Sequence, residues 1–167
     1  MYFILCIQKG VFFVLRYTEV CLSPLEIPRE VSICIYITGC CNSCPNCHYP
    51  ALKQADFGDL LATYYQEILS AYAPYATCVC FLGEGGNTPI TRKEFAYFSR
   101  IAHHMSLKTG LYSGRDVSIE PWMHIFDYIK LGSYQEKCGS LSSLSTNQVL
   151  YHKLNGSYKN CTHLFWQ

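Results

Sequence analysis

Apolar runs and turn-forming clusters alternate along the chain in a way that predicts strands followed by helices. Val31 to Ile37, "VSICIYI", is a β-branched apolar run halted at Thr38-Gly39, which predicts a buried strand ended by a turn. A helix is predicted over about Phe57 to Tyr72, where Leu61, Tyr64, Ile68 and Tyr72 recur at helical spacing and Pro74 forbids continuation. "TCVCFLGEGG" reads as a strand breaking into glycines. Thr91 and Glu94 behind it have the spacing of a capping box, ahead of a helix with Phe95, Phe98, Ala102 and Met105 as its buried stripe. "LKTGLYSGRD" predicts a third strand and its loop, Pro121 a short helix, and "DYIKLG" a fourth strand. The Ser-rich "GSLSSLSTNQVLY" then leads to a last strand at Gln148 to His152.

Strands alternating with helices imply an α/β protein with a parallel sheet, whose ligands collect outside the carboxyl ends of the strands. The loops richest in cysteine, glycine and polar residues all fall at that edge. No internal repeat or low-complexity tract divides the 167 residues, which suit one domain able to bury its core without disulfide staples. Residues 1–13 read as an extension or as part of two short strands, with the working core at about 14–153. The N-terminal "MYFILCIQKGVFFVLRY" is interrupted by Gln8, Lys9 and Gly10, well short of the roughly 20 apolar residues of a membrane span. It also lacks the basic start and small-residue cleavage site of a secretory signal.

Composition narrows the partners. Thirteen Lys and Arg balance twelve Asp and Glu, which gives no electrostatic grip on nucleic acid or an anionic membrane. Half the residues are apolar, enough for a full core and against a disordered tail. Eleven cysteines is an odd number that cannot be fully paired within the chain, and without an export signal the expectation is a cytoplasmic protein with reduced thiols and a metal site.

That site is expected in the loop leaving the first buried strand. Cys40, Cys44 and Cys47 form C-x3-C-x2-C, with Cys41 as an extra neighbour. Structural zinc sites close with four ligands, and common ferredoxin clusters take four cysteines. Three thiolates would instead leave one iron of a cluster open to a substrate. The competing reading is a zinc knuckle completed by His48 or by a remote residue such as Cys138.

The spacing resembles the signature of the radical S-adenosylmethionine superfamily, in which three cysteines hold a [4Fe-4S] cluster and S-adenosyl-L-methionine chelates the free iron. The resemblance implies reductive cleavage of that cofactor to methionine and a 5'-deoxyadenosyl radical, in an incomplete open (β/α) barrel with a mostly parallel sheet. "CFLGEGGN", Cys80 to Asn87, stands where the superfamily carries a Gly-Gly-Glu-like motif. Gly83, Glu84 and Gly85 are thus the expected contacts to the cofactor's amino group, although Leu82 replaces the first glycine. A shifted match on Gly85, Gly86 and Asn87 lacks the acid. Asn46 stands where an aromatic often precedes the third cysteine, with His48 or Tyr49 as substitutes near adenine. Ser113 and Arg115, leaving the third strand, are expected at the ribose or carboxylate.

Within that superfamily, Val14 to His152 resembles the activating proteins of anaerobic ribonucleoside-triphosphate reductase. The pieces that carry the resemblance are "ITGCCNSCPNCHYP", "CVCFLG", "KTGLYSGR" and "FDYIKLGSYQEKCGSLSSLSTNQVLY". It implies an enzyme that makes a glycyl radical on a large partner, fed by an electron donor such as flavodoxin or ferredoxin. The alternatives are activation of a formate-lyase-like glycyl radical enzyme, or a zinc-binding interaction module with no catalysis. Cys78 and Cys80 are expected to fill core space, as small thiols two apart on one strand. His103-His104 reads as a helix surface pair, and Asn155-Gly156-Ser157 as a glycosylation pattern without meaning in the cytoplasm.

Overall fold

The computed structural model describes residues 13–42, 44, 47 and 49–166. Its centre is a single open sheet of eight strands, in the order β3-β1-β2-β4-β5-β6-β7-β8. The strands are β1 (Arg16–Ser23), β2 (Ser32–Ile37), β3 (Asp59–Leu60), β4 (Cys78–Leu82), β5 (Lys108–Tyr112), β6 (Tyr128–Leu131), β7 (Val149–Leu154) and β8 (Ser157–Asn160). Helices α1 (Leu61–Tyr72) and α2 (Pro89–His104) connect β2 to β4, by way of β3, and β4 to β5. Only a 3-10 turn, Pro121–Ile125, lies between β5 and β6.

This arrangement corrects the expected (β/α) barrel with a mostly parallel sheet. Three pairings, β2-β4, β4-β5 and β5-β6, are parallel, but the four outside them are antiparallel. A parallel neighbour needs a crossover long enough to return to the start of the sheet, usually a helix. The chain supplies two α-helical crossovers and a 3-10 turn, then switches to hairpin-like neighbours at both edges, so the sheet is a mixed one and does not close.

The four parallel strands are covered on both faces, which is why "SICIYI" reads as a nearly continuous apolar run. Ile33, Ile35, Val79, Phe81, Leu111 and Ile129 point to the helix side, where Tyr65, Phe95, Phe98 and Phe126 complete the core. Phe81 lies 5.3 Å from Phe95 and 6.2 Å from Phe126, ring centre to ring centre, in edge-on contacts. The other face carries Cys34, Cys78 and Cys80 against Ile27, Tyr128, Leu150 and Cys161.

Local boundaries differ from the periodic pattern where tertiary pairing competes with it. The first helix begins at Leu61 and not Phe57, because Asp59 and Leu60 pair with Tyr17 and Arg16 of β1. Its buried residues are Leu61, Tyr65, Ile68 and Leu69, while Tyr64 faces solvent. In α2 the cap is Thr88. Its hydroxyl accepts from the Thr91 amide, and the Thr91 hydroxyl accepts from the Thr88 amide, so the expected box starting at Thr91 lies one turn too late. Met105, expected in the buried stripe, is exposed and caps the helix end. Glu94 acts at long range instead. Its carboxylate accepts from the amides of Val14 at 2.6 Å and Leu15 at 2.9 Å, fastening the start of the described chain to α2.

Thr88→Ala is expected to cost about 1 kcal/mol, the usual worth of a cap. Glu94→Ala leaves two backbone donors without their acceptor and is expected to cost roughly 3 kcal/mol. Urea unfolding midpoints measure both, and equal losses would show that Glu94 is not the anchor described.

Candidate functional site

Because β2, β4, β5 and β6 run parallel, their exit loops share one edge. The loop after β2 carries the cysteines. Its path is held by the Thr38 amide donating to Arg16 O at 3.0 Å and the Cys40 amide donating to Leu52 O at 2.9 Å. Thr38 is buried, and its hydroxyl has no hydrogen-bond partner among the described residues. Cys40, Cys44 and Cys47 are half-buried, whereas Cys41 is exposed. His48 and Asn46 lie outside the described residues. Tyr49 donates to Glu19 at 3.3 Å and packs beside Tyr36.

The glycine loop after β4 crosses against the end of β2. A Cβ on Gly83 would stand 3.1 Å from Ile37 O, and one on Gly85 would stand 3.1 Å from a Leu15 methyl and 3.3 Å from Thr38 O. Both residues adopt positive φ, +117° and +57°, so glycine is needed here for space and for conformation. The two loops are therefore in contact, as a shared ligand site requires.

Glu84 and Arg115, expected as separate cofactor contacts, meet each other. Arg115 Nε donates to Glu84 Oε2 at 2.6 Å and Nη2 to Oε1 at 3.2 Å, a forked pair in which Glu84 is 3% and Arg115 17% exposed. The same guanidinium reaches Glu120 at 2.6 Å and 3.3 Å. Trp122 Nε1 also donates to Glu120, at 2.6 Å, and Arg92 holds Asn87 of the glycine loop at 2.9 Å. Hydrogen bonding from Arg115 and then Trp122 holds the Glu120 carboxyl down at about 2. Ser113 is fully buried. Its amide donates to Lys130 O at 2.8 Å, and its hydroxyl accepts from the Arg115 amide at 3.1 Å.

Gly114, between them, brings the β5 exit against the cysteine loop: a Cβ there would lie 3.4 Å from Cys44 Sγ and 2.9 Å from Asn42 Nδ2. Next to this contact sits a residue that periodicity did not single out. Lys130 of β6 is 7% exposed, and burial pushes its ammonium down to about 8 against the opposing pull of Cys44 and Asp116. The available signal was a lysine inside the apolar run "YIKL", since lysine is almost never fully buried without a partner. A recess of about 310 Å³ lined by Asp116, Leu131, Gly132, Asn147 and Tyr151 adjoins the same edge.

Among the described residues no three His, Cys, Asp or Glu side chains are grouped closely enough to hold a metal ion. Burial raises the Cys40 thiol, a backbone hydrogen bond at Asn42 lowers it, and the neighbouring Cys41, Cys44 and Cys47 raise it again. Cys138, the remote candidate for a fourth ligand, is engaged in its own turn, with its thiol toward Gln135 Oε1 at 3.8 Å. Cys78 and Cys80 lie fully buried on the sheet, and His103 pairs with Asp127 at 2.9 Å.

The chain matches no protein-family model, no curated protein and no solved structure. No helix among the described residues is long and apolar enough to cross a membrane.

The ion-pair network has a pH signature. A carboxyl held below its ordinary value contributes stability above that value and loses it as pH falls toward the depressed one. The wild type is therefore expected to lose stability more steeply than Glu120→Gln between about pH 5 and pH 2. Urea midpoints over that range check it, and parallel curves would remove Glu120 from the network's energetics.

Proposed function

We propose that this chain is an iron-sulfur activase of the radical S-adenosylmethionine kind, generating a glycyl radical on a large partner enzyme, anaerobic ribonucleoside-triphosphate reductase. The observation that carries the reading is the placement of three half-buried thiols, Cys40, Cys44 and Cys47, in one strand-exit loop at the edge where the glycine loop and the Ser113-Arg115 loop converge. Cys40, Cys44 and Cys47 would hold a [4Fe-4S] cluster, which together with S-adenosylmethionine would supply one-electron reductive chemistry that generates a hydrogen-abstracting radical.

The chain's own residues then have defined roles. Cys40, Cys44 and Cys47 are the thiolate ligands, and Cys41, exposed beside them, is left out. Gly83 and Gly85 keep the backbone of the second loop close to the first, so that its carbonyls can face the cofactor's ammonium. The Glu84-Arg115 pair fixes that loop to the β5 exit, acting as a support for the contacts rather than as two free charges. Ser113, buried behind them, orders the Arg115 backbone. Abstraction of a hydrogen atom moves no free proton, so these roles include neither a general base nor a nucleophile.

Anaerobic reconstitution with iron and sulfide, then reduction with S-adenosylmethionine, is expected to yield 5'-deoxyadenosine from the wild type. Cys44→Ala, which leaves the cluster short of a ligand, is expected to fall to the protein-free background. Chromatography reads the product. Equal background yields from both proteins, or a single zinc per chain with no iron or sulfide retained, would overturn the proposal. Incubation with a reductase chain or with a formate-lyase-like chain, followed by electron paramagnetic resonance for the glycyl radical, separates the two partners.

A further inference from the structure

One row of the sheet carries three thiols. In the pairing register Cys21 of β1 stands opposite Cys34 of β2, and Cys34 stands beside Cys80 of β4. Residues opposite one another in a sheet project to the same face. The three sulfurs share one cluster there, with Cys34 and Cys80 fully buried and Cys21 half-buried against them, and none is bridged.

Strands β1 and β2 run antiparallel, and directly opposed residues of such a pair have Cα atoms roughly 4.5–5.5 Å apart. A disulfide requires a Cα separation of about 4.4–6.8 Å. Cys21 and Cys34 thus meet that requirement with no change of register. The far edge of β1 leaves room for the remaining adjustment. There β3 pairs only with Arg16 and Tyr17, so among the described residues no strand lies outside Cys21, and the register of β1 already shifts between Tyr17 and Val20. Cys80 has neither advantage, since it lies on an interior strand and is sealed from solvent.

Access sets the order of reaction. Solvent reaches Cys21, whereas Cys34 is fully buried and burial pushes its thiol up, so Cys34 stays protonated until an oxidised sulfur is presented to it. An accessible thiol beside a resolving thiol is the arrangement of a redox-responsive pair.

We propose that Cys21 and Cys34 form an oxidation site, at which hydrogen peroxide converts the two facing thiols into a disulfide that joins the edge strand β1 to β2. The Cys21 thiolate attacks a peroxide oxygen, the O–O bond breaks, hydroxide leaves to become water with the thiol's proton, and Cys21 becomes a sulfenic acid. The Cys34 sulfur then attacks Cys21 Sγ, the S–O bond breaks, and a second water leaves with the Cys34 proton. Two thiols lose two electrons and one peroxide becomes two waters. Neither thiol belongs to the cysteine loop, so the pair stands apart from the activase reading.

The test treats the full chain with hydrogen peroxide, once folded and once unfolded in urea. Catalase then removes the peroxide, the remaining thiols are alkylated in urea, and mass spectrometry maps the bridges. Trypsin with chymotrypsin isolates the two partners, because Arg16 and Arg29 flank Cys21 with no other cysteine between them and Tyr36 separates Cys34 from Cys40. In the folded chain the Cys21–Cys34 bridge is expected to exceed every other bridge to Cys21 by about tenfold or more, since the sheet holds the two sulfurs at high effective concentration. Dithiothreitol is expected to reverse it, and the unfolded chain to scatter Cys21 over several partners. Cys21 recovered unbridged, as a thiol or as sulfinic or sulfonic acid, or bridged to a cysteine of the loop after β2, overturns the proposal. So does a Cys34–Cys80 bridge, or the same distribution of bridges in the folded and unfolded chains.

Discussion

One half-buried guanidinium ties together the loops at the strand-exit edge. Arg115 sits between Glu84, on the glycine loop, and Glu120, ahead of the 3-10 turn, and its forked donors leave neither carboxylate free to rotate. Removing Arg115 would leave the buried Glu84 carboxylate without its ion-pair partner. Beside the pair, Arg92 links the two exits through Asn87 at 2.9 Å and Glu120 at 3.9 Å.

The sheet beneath explains how so many cysteines coexist with a single candidate site. Cys34, Cys78 and Cys80 lie fully buried on one face, where burial pushes each thiol upward and keeps it protonated. Cys161, raised to about 11, belongs to the same face. These sulfurs behave as small apolar groups that pack under Ile27, Tyr128 and Leu150 on that face. The cysteines after β2 differ in being half-exposed, mutually crowded and borne on a loop. Position in the fold, and not residue type, divides packing thiols from candidate ligands.

Several elements were legible because local chemistry and tertiary context agreed. The β-branched run of β2 ending just before Thr38-Gly39, the strand "KTGLY" and the short helix opening at Pro121 all lie where the pattern puts them. The hairpin joining β7 and β8 was not foreseen, since its turn was read as a glycosylation pattern and the last strand was placed at Gln148 to His152. Asn155 and Gly156 have φ of 50° and 80°, as a tight hairpin turn demands, and the triplet that matches a glycosylation pattern is this turn. Other features were illegible for a physical reason. Residues 59 and 60 form a strand because β1 offers them an edge, and Glu94 binds the amides of residues 14 and 15, so both outcomes depend on segments about forty and eighty positions away.

By itself the sequence determined what short-range chemistry can determine: the buried strands, the glycine turns, and three cysteines gathered on one strand-exit loop. Hydrophobic spacing and turn propensity act over a few residues, so these follow from neighbours alone. Only the tertiary structure decided that the sheet stays open and mixed, that Glu84 commits its charge to Arg115, and that Lys130 is buried with the Gly132 carbonyl as its hydrogen-bond partner. Each of these depends on which distant strand lies next to which, and that is fixed by pairing and burial across the whole chain rather than by any local pattern.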